Sequence, residues 1–84
     1  PNEVVWWTLL SSAYDQAKNV PMRHYALGEK YALEGAWPSA LEQMRIARAA
    51  GGADYYQGSS IDARLREMQR QYQEELKEQA KQKG

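Results

Sequence analysis

His24-Tyr25-Ala26-Leu27-Gly28-Glu29-Lys30-Tyr31-Ala32-Leu33-Glu34-Gly35 decides the fold of this 84-residue chain. Leu27 and Tyr31 stand four apart, as do Met22 and Ala26, so the inner side of a helix is apolar. Gly28 lies inside that pattern, where glycine costs helix stability unless another backbone must come close. Gly35 follows at the natural stop position, where the left-handed conformation is cheapest for glycine. Asn19-Val20-Pro21 opens the segment, since proline is tolerated in a first helical turn. The spacing therefore predicts a helix from Pro21 to about Glu34.

Three more helices follow on either side. Asn2 is a plausible N-cap for a helix from Glu3 to about Lys18. Its apolar positions Trp6, Trp7, Leu10, Ala13, Tyr14 and Ala17 recur at spacings of three and four. Ala36-Trp37-Pro38 makes the next corner, and a helix from Pro38 to about Ala50 carries Ala40, Leu41, Met44 and Ala47. Gly51-Gly52 ends it. Residues 51–60 read as a connecting loop, although Asp54 with Gln57, or Ser59 with Asp62, has capping-box spacing. The last helix is clear from Ile61 on, with the stripe Ile61, Leu65, Met68, Tyr72, Leu76 and Ala80. Glu74 with Lys77 and Glu78 with Lys81 support its polar end by a few tenths of a kcal/mol each, roughly. Lys81–Gly84 should fray. The expectation is one all-α domain: helices 1–3 in residues 1–50, the loop, and a capping helix in 61–84.

The helices repeat. His24-x2-Leu27-Gly28-x2-Tyr31, then Gly35, then Ala40-x3-Met44 and Ala47, follows the tetratricopeptide pattern, with His for Trp and Met for Phe. Trp7-x2-Leu10-Ser11-x2-Tyr14 repeats the first part with Ser for Gly. Tyr14 and Tyr31 are 17 apart, half of a repeat of about 34 residues. The second helix thus partners the first and also opens the next hairpin. Gly28, Ser11 and Ala40 let helix axes approach, and Leu27, Tyr31 and Met44 fill the space between them. The reading is four antiparallel helices in a right-handed superhelical stack, with Leu10, Tyr14, Leu27, Gly28, Tyr31, Gly35, Ala40, Met44 and Ala47 as repeat-packing positions. An unrelated four-helix bundle is the alternative.

Arg23-His24-Tyr25-Ala26-Leu27-Gly28-Glu29, Ala40-Leu41-Glu42-Gln43 and Ser60-Ile61-Asp62-Ala63-Arg64-Leu65-Arg66-Glu67-Met68, in that order, resemble the C-terminal end of periplasmic zinc metalloproteases of the beta-barrel assembly-enhancing type. That family carries a small residue–His–x–Ala–Leu–small–Glu run, an Ala-Ile/Leu-Glu-Gln run and a closing Arg-Ile-x-Ala-Arg-Leu-x-Glu-Leu run. Arg23 departs from its small residue and Ser60 from its Arg. The resemblance spans about residues 3–70. It implies a repeat module that engages outer-membrane protein substrates or their assembly machinery in the periplasm. It also implies a zinc-dependent H-E-x-x-H domain in the parent protein, outside this chain. The chain begins Pro1-Asn2-Glu3 without Met, which reads as a piece of a longer or processed protein.

Composition narrows the function classes. Lys plus Arg equals Asp plus Glu at 11 each, which argues against a binder that lives on phosphate neutralisation. No cysteine and one histidine, His24, leave no Cys- or multi-His metal site, so no cofactor is expected here. No apolar run is long enough to span a membrane. Asp15, Glu29 and Glu34 have no paired base, so no enzyme is read in this chain. Val5, Thr8, Ser12, Asp15 and Gln16 bring no Lys or Arg for a carboxylate clamp. What remains is a protein-interaction module, or a purely structural cap of an unrelated tetratricopeptide adaptor. Trp6, Trp7, Tyr25, Tyr55 and Tyr56 are the candidate protein-binding residues. Trp6 and Trp7 cannot both face one core. Self-association through the Val4–Trp7 face is expected, because a preceding repeat would otherwise cover it. His24 reads as a packed, hydrogen-bonded residue, and Arg45, Arg48, Arg64, Arg66 and Arg70 as a solvated face.

Overall fold

The computed structural model describes residues 2–83, and they are all-helical, with no strand among them. The elements are α1 (Glu3–Gln16), α2 (Val20–Leu33), α3 (Trp37–Ala49) and α4 (Tyr55–Lys83). Their starts fall 17, 17 and 18 residues apart. Each helix packs on the next, and α2 also touches α4. So α2 contacts both of its sequence neighbours, while α1 leans on α2 alone.

The corners follow from local chemistry. Asn2 and Asn19 accept backbone N–H bonds at the starts of α1 and α2, filling orphan donors of a first turn. After α2, the Gly35 N–H bonds Ala32 O and the Ala36 N–H bonds Tyr31 O, with Gly35 at φ 74°. This is the paired closure that a left-handed residue permits. The same closure ends α1: the Lys18 N–H bonds Asp15 O and the Asn19 N–H bonds Tyr14 O. Here Lys18 takes φ 59°, so α1 stops at Gln16 rather than at Lys18. Lys18, Gly35 and Gly52 all have positive φ, again at steps of 17.

Residues 55–60 depart from the loop expected between 51 and 60. They are the first turns of α4. Asp54 Oδ1 accepts the Gln57 N–H at 2.8 Å, and Gln57 Oε1 accepts the Asp54 N–H at 3.2 Å. This reciprocal cap satisfies two donors and starts the helix before Gly58, Ser59 and Ser60 are reached. Helix also continues to Lys83, through the tail expected to fray; Gly84 lies outside the described residues.

The core lies between α2, α3 and α4. Ala40, Leu41, Met44, Leu65 and Met68 form one buried cluster, with Tyr25, Tyr31, Trp37 and Tyr72 at its edge. Met22, Ala47 and Ile61 form a second, flanked by Tyr14, Tyr25 and Ala53. Past Tyr72, α4 is exposed along its length. The Trp37 indole N–H donates to Glu75 and ties the early part of that extension to the start of α3. Glu74 pairs with Arg70 at 2.7 Å instead of with Lys77, while Glu78 and Lys81 approach to 3.7 Å.

Candidate functional site

The five aromatic residues singled out as protein-binding lie in three places. Trp7 and Tyr25 meet edge to face on the seam between α1 and α2, with centroids 6.0 Å apart. Tyr55 and Tyr56 touch each other at the start of α4, both more than 80% exposed. Trp6 turns away from both groups and is 59% exposed.

Trp6 belongs to a face that adjacency in sequence obscured. Residues three and four apart share a helix face, whereas a four-residue run goes round the axis. Val5, Trp6 and Leu9 are 49%, 59% and 63% exposed, while Val4 and Trp7 are half-buried. The uncovered patch on α1 is therefore Val5, Trp6 and Leu9, not the expected Val4–Trp7 run. Leu9, absent from the sequence-based candidates, is its most exposed member. Ser12, Ala13 and Gln16 continue the same face and are exposed as well. The opposite side of α1 meets α2, where Ser11 is buried and its hydroxyl donates to Arg23 O at 3.4 Å.

The repeat-packing positions divide by depth. Gly28, Ala40, Met44 and Ala47 are buried, Leu10, Tyr14, Leu27 and Tyr31 are half-buried, and Gly35 is exposed at its turn.

Two polar assemblies cross between helices. Arg64 on α4 donates through Nε and Nη2 to the two carboxylate oxygens of Glu29 on α2, each at 2.7 Å. Glu29 is only 8% exposed, and this fork supplies the paired geometry a buried carboxylate needs. Arg64 is thus a bridge between helices and not part of the solvated face expected of it. Burial, with the neighbouring Glu29 carboxylate, pushes the Tyr25 phenol up to about 12. The second assembly is a string. Arg23 on α2 approaches Asp15 on α1 at 3.5 Å and His24 Nε2 at 3.2 Å. A guanidinium only donates, so Nε2 accepts and Nδ1 donates to Gln43 Oε1 on α3 at 2.7 Å.

Among the described residues no group of three or more His, Cys, Asp or Glu is placed to hold a metal ion, and no helix is long and apolar enough to cross a membrane. Comparison of the chain with family models, with curated proteins and with solved structures finds no match.

Proposed function

We propose that this chain is a protein-interaction module of tetratricopeptide-like architecture, and that it meets its partners through the outer face of α1. One observation carries the reading: α1 is apolar on both sides but covered on one. Val5, Trp6 and Leu9 leave an exposed apolar patch on α1, and such a patch marks a site of association. The 17-residue spacing of helix starts and the contact of α2 with α1, α3 and α4 support a right-handed superhelical stack. The resemblance of residues 3–70 to periplasmic beta-barrel assembly-enhancing proteases supports an outer-membrane protein chain, or its assembly machinery, as the partner.

The test is capture of an unfolded outer-membrane β-barrel polypeptide by the immobilised chain. Trp6→Glu should remove most of the captured polypeptide while helicity by circular dichroism stays unchanged. Undiminished capture by folded Trp6→Glu overturns the reading. A second reading, a structural cap closing a longer solenoid, draws on the outer side of α4, where Arg66, Gln69, Arg70 and Gln73 are exposed. Solenoid ends need such polar surfaces, and a cap at one end is compatible with a contact face at the other.

A further inference from the structure

We infer that the outer face of α1 pairs with the same face of a second copy of this chain, the two α1 helices running antiparallel about a two-fold axis at Leu9. The inference rests on the reading of this face as a protein-contact surface and adds that a second copy covers it when no other polypeptide is bound there.

The first support is spacing. Val5, Leu9, Ser12 and Gln16 are separated by four, three and four residues, as are Trp6, Leu9, Ala13 and Gln16 by three, four and three. That is the period of a seam between two helices. Every one of these residues is exposed.

The second support is the order of sizes. Large side chains, Val5 and Trp6, stand before Leu9, and small ones, Ser12 and Ala13, stand after it. In an antiparallel pair centred on Leu9, position 9 minus k faces position 9 plus k. Trp6 then meets Ser12, Val5 meets Ala13, and Leu9 meets Leu9. Large against small is how facing helix positions interdigitate without voids. A parallel pair would set Trp6 against Trp6 and leave space between the two Ser12 side chains.

The third support is charge. The face carries no ionisable side chain, because Asp15 turns to Arg23 on α2 and Glu3 lies to one side. A surface that meets itself must not repel itself, and this one does not. The chain's formal net charge of zero removes long-range repulsion between copies as well. An isologous contact of one short helix is small, so the dimer is weak and concentration-dependent.

The chain has no native cysteine, so single cysteines report the pairing cleanly. Leu9→Cys places two thiols together on the axis. Gln16→Cys places them roughly 20 Å apart, given a rise of about 1.5 Å per residue, beyond the reach of a disulfide. Leu9→Cys should form a disulfide-linked dimer at least about tenfold faster than Gln16→Cys, a difference that a parallel pair, joining both equally, would not give. Equal rates overturn the inference. In sedimentation equilibrium the full chain should move from one copy toward two between about 10 μM and about 1 mM, and Trp6→Glu should stay monomeric. A monomer throughout also overturns it, assigning the face to another polypeptide; capture of the β-barrel polypeptide then judges the broader reading separately.

Discussion

Gly28 lies so close to α3 that a Cβ added to it would sit 3.3 Å from the Ala40 carbonyl oxygen and 2.9 Å from the Met44 methyl carbon. Ala40 and Met44 are themselves fully buried. The contact sets the distance between α2 and α3, because the nearest obstacle on one side is backbone and cannot rotate away. A larger residue on either side must force the helices apart. Ala40→Leu and Gly28→Leu should each cost about 1–3 kcal/mol through overpacking. In a domain of this size, each kcal/mol lowers the melting temperature by roughly 4–8 °C. An unchanged melt for Ala40→Leu would contradict this register of α2 on α3.

Lys18 holds φ 59° at the end of α1, where the matching turn after α2 uses Gly35 at φ 74°. The left-handed region brings Cβ against the backbone, at a cost of about 1–2 kcal/mol for an ordinary L-residue. Lys18→Gly removes that strain but gains flexibility in the unfolded chain. The net expectation is a stabilisation of about 0.5–1 kcal/mol, read as a higher denaturant midpoint with an unchanged slope. Gly35→Ala should move the midpoint the other way, since it imposes the same strain where none exists now. A Lys18→Gly protein less stable than its parent would mean that the lysine side chain contributes more than its backbone costs.

The turns show why so much of the fold was legible. Asparagine before α1 and α2, proline near the starts of α2 and α3 and glycine after α2 and α3 are local signals, and each acts within one turn of the residue that carries it. The start of α4 was harder. Tyr55-Tyr56-Gln57-Gly58-Ser59-Ser60 is poor in helix formers, and the two possible caps, Asp54 with Gln57 and Ser59 with Asp62, lie five residues apart; the earlier one forms. Leu9 belongs to the exposed face of α1 because exposure follows the helix period, which the run of four consecutive apolar residues before it conceals. The Glu29–Arg64 fork was not legible at all. Its partners are 35 residues apart, and nothing local distinguishes Arg64 from the arginines beside it on α4.

Removing Arg64 should show what that fork does. Without it, the Glu29 carboxylate is left in a site that is 8% exposed and loses both of its guanidinium bonds. Breaking a fully buried pair costs about 3–5 kcal/mol. Arg64 is 31% exposed in its side chain, so water screens part of this, and Arg64→Ala should cost about 1–3 kcal/mol. Arg64→Lys should recover only part of the loss, since an ammonium cannot reach both oxygens in the same plane. The double variant Glu29→Leu with Arg64→Met should lie near the parent, because no charge is then left buried. A double-mutant cycle by denaturant unfolding checks all three, and additive single and double effects would mean that the pair is not coupled.

Tyr25 gives the fold a weakness at high pH. Burial in the seam against Trp7, reinforced by the Glu29 carboxylate, raises its phenol from 10.0 to about 12. Below pH 10 the phenol is protonated in both the native and the unfolded chain, so its contribution to stability is fully present there. Above that point the unfolded chain releases the proton while the native chain still holds it. Stability therefore falls as pH rises from 10 toward about 12, and levels off once the native phenol also ionises. The diagnostic is a comparison of two proteins and not a single curve. Tyr25→Phe removes the proton without removing the ring that meets Trp7. Urea midpoints measured between about pH 9 and about pH 12 should decline less steeply for Tyr25→Phe than for the parent, with the two curves parallel below pH 10. Identical slopes above pH 10 would place the Tyr25 phenol in water and out of reach of Glu29.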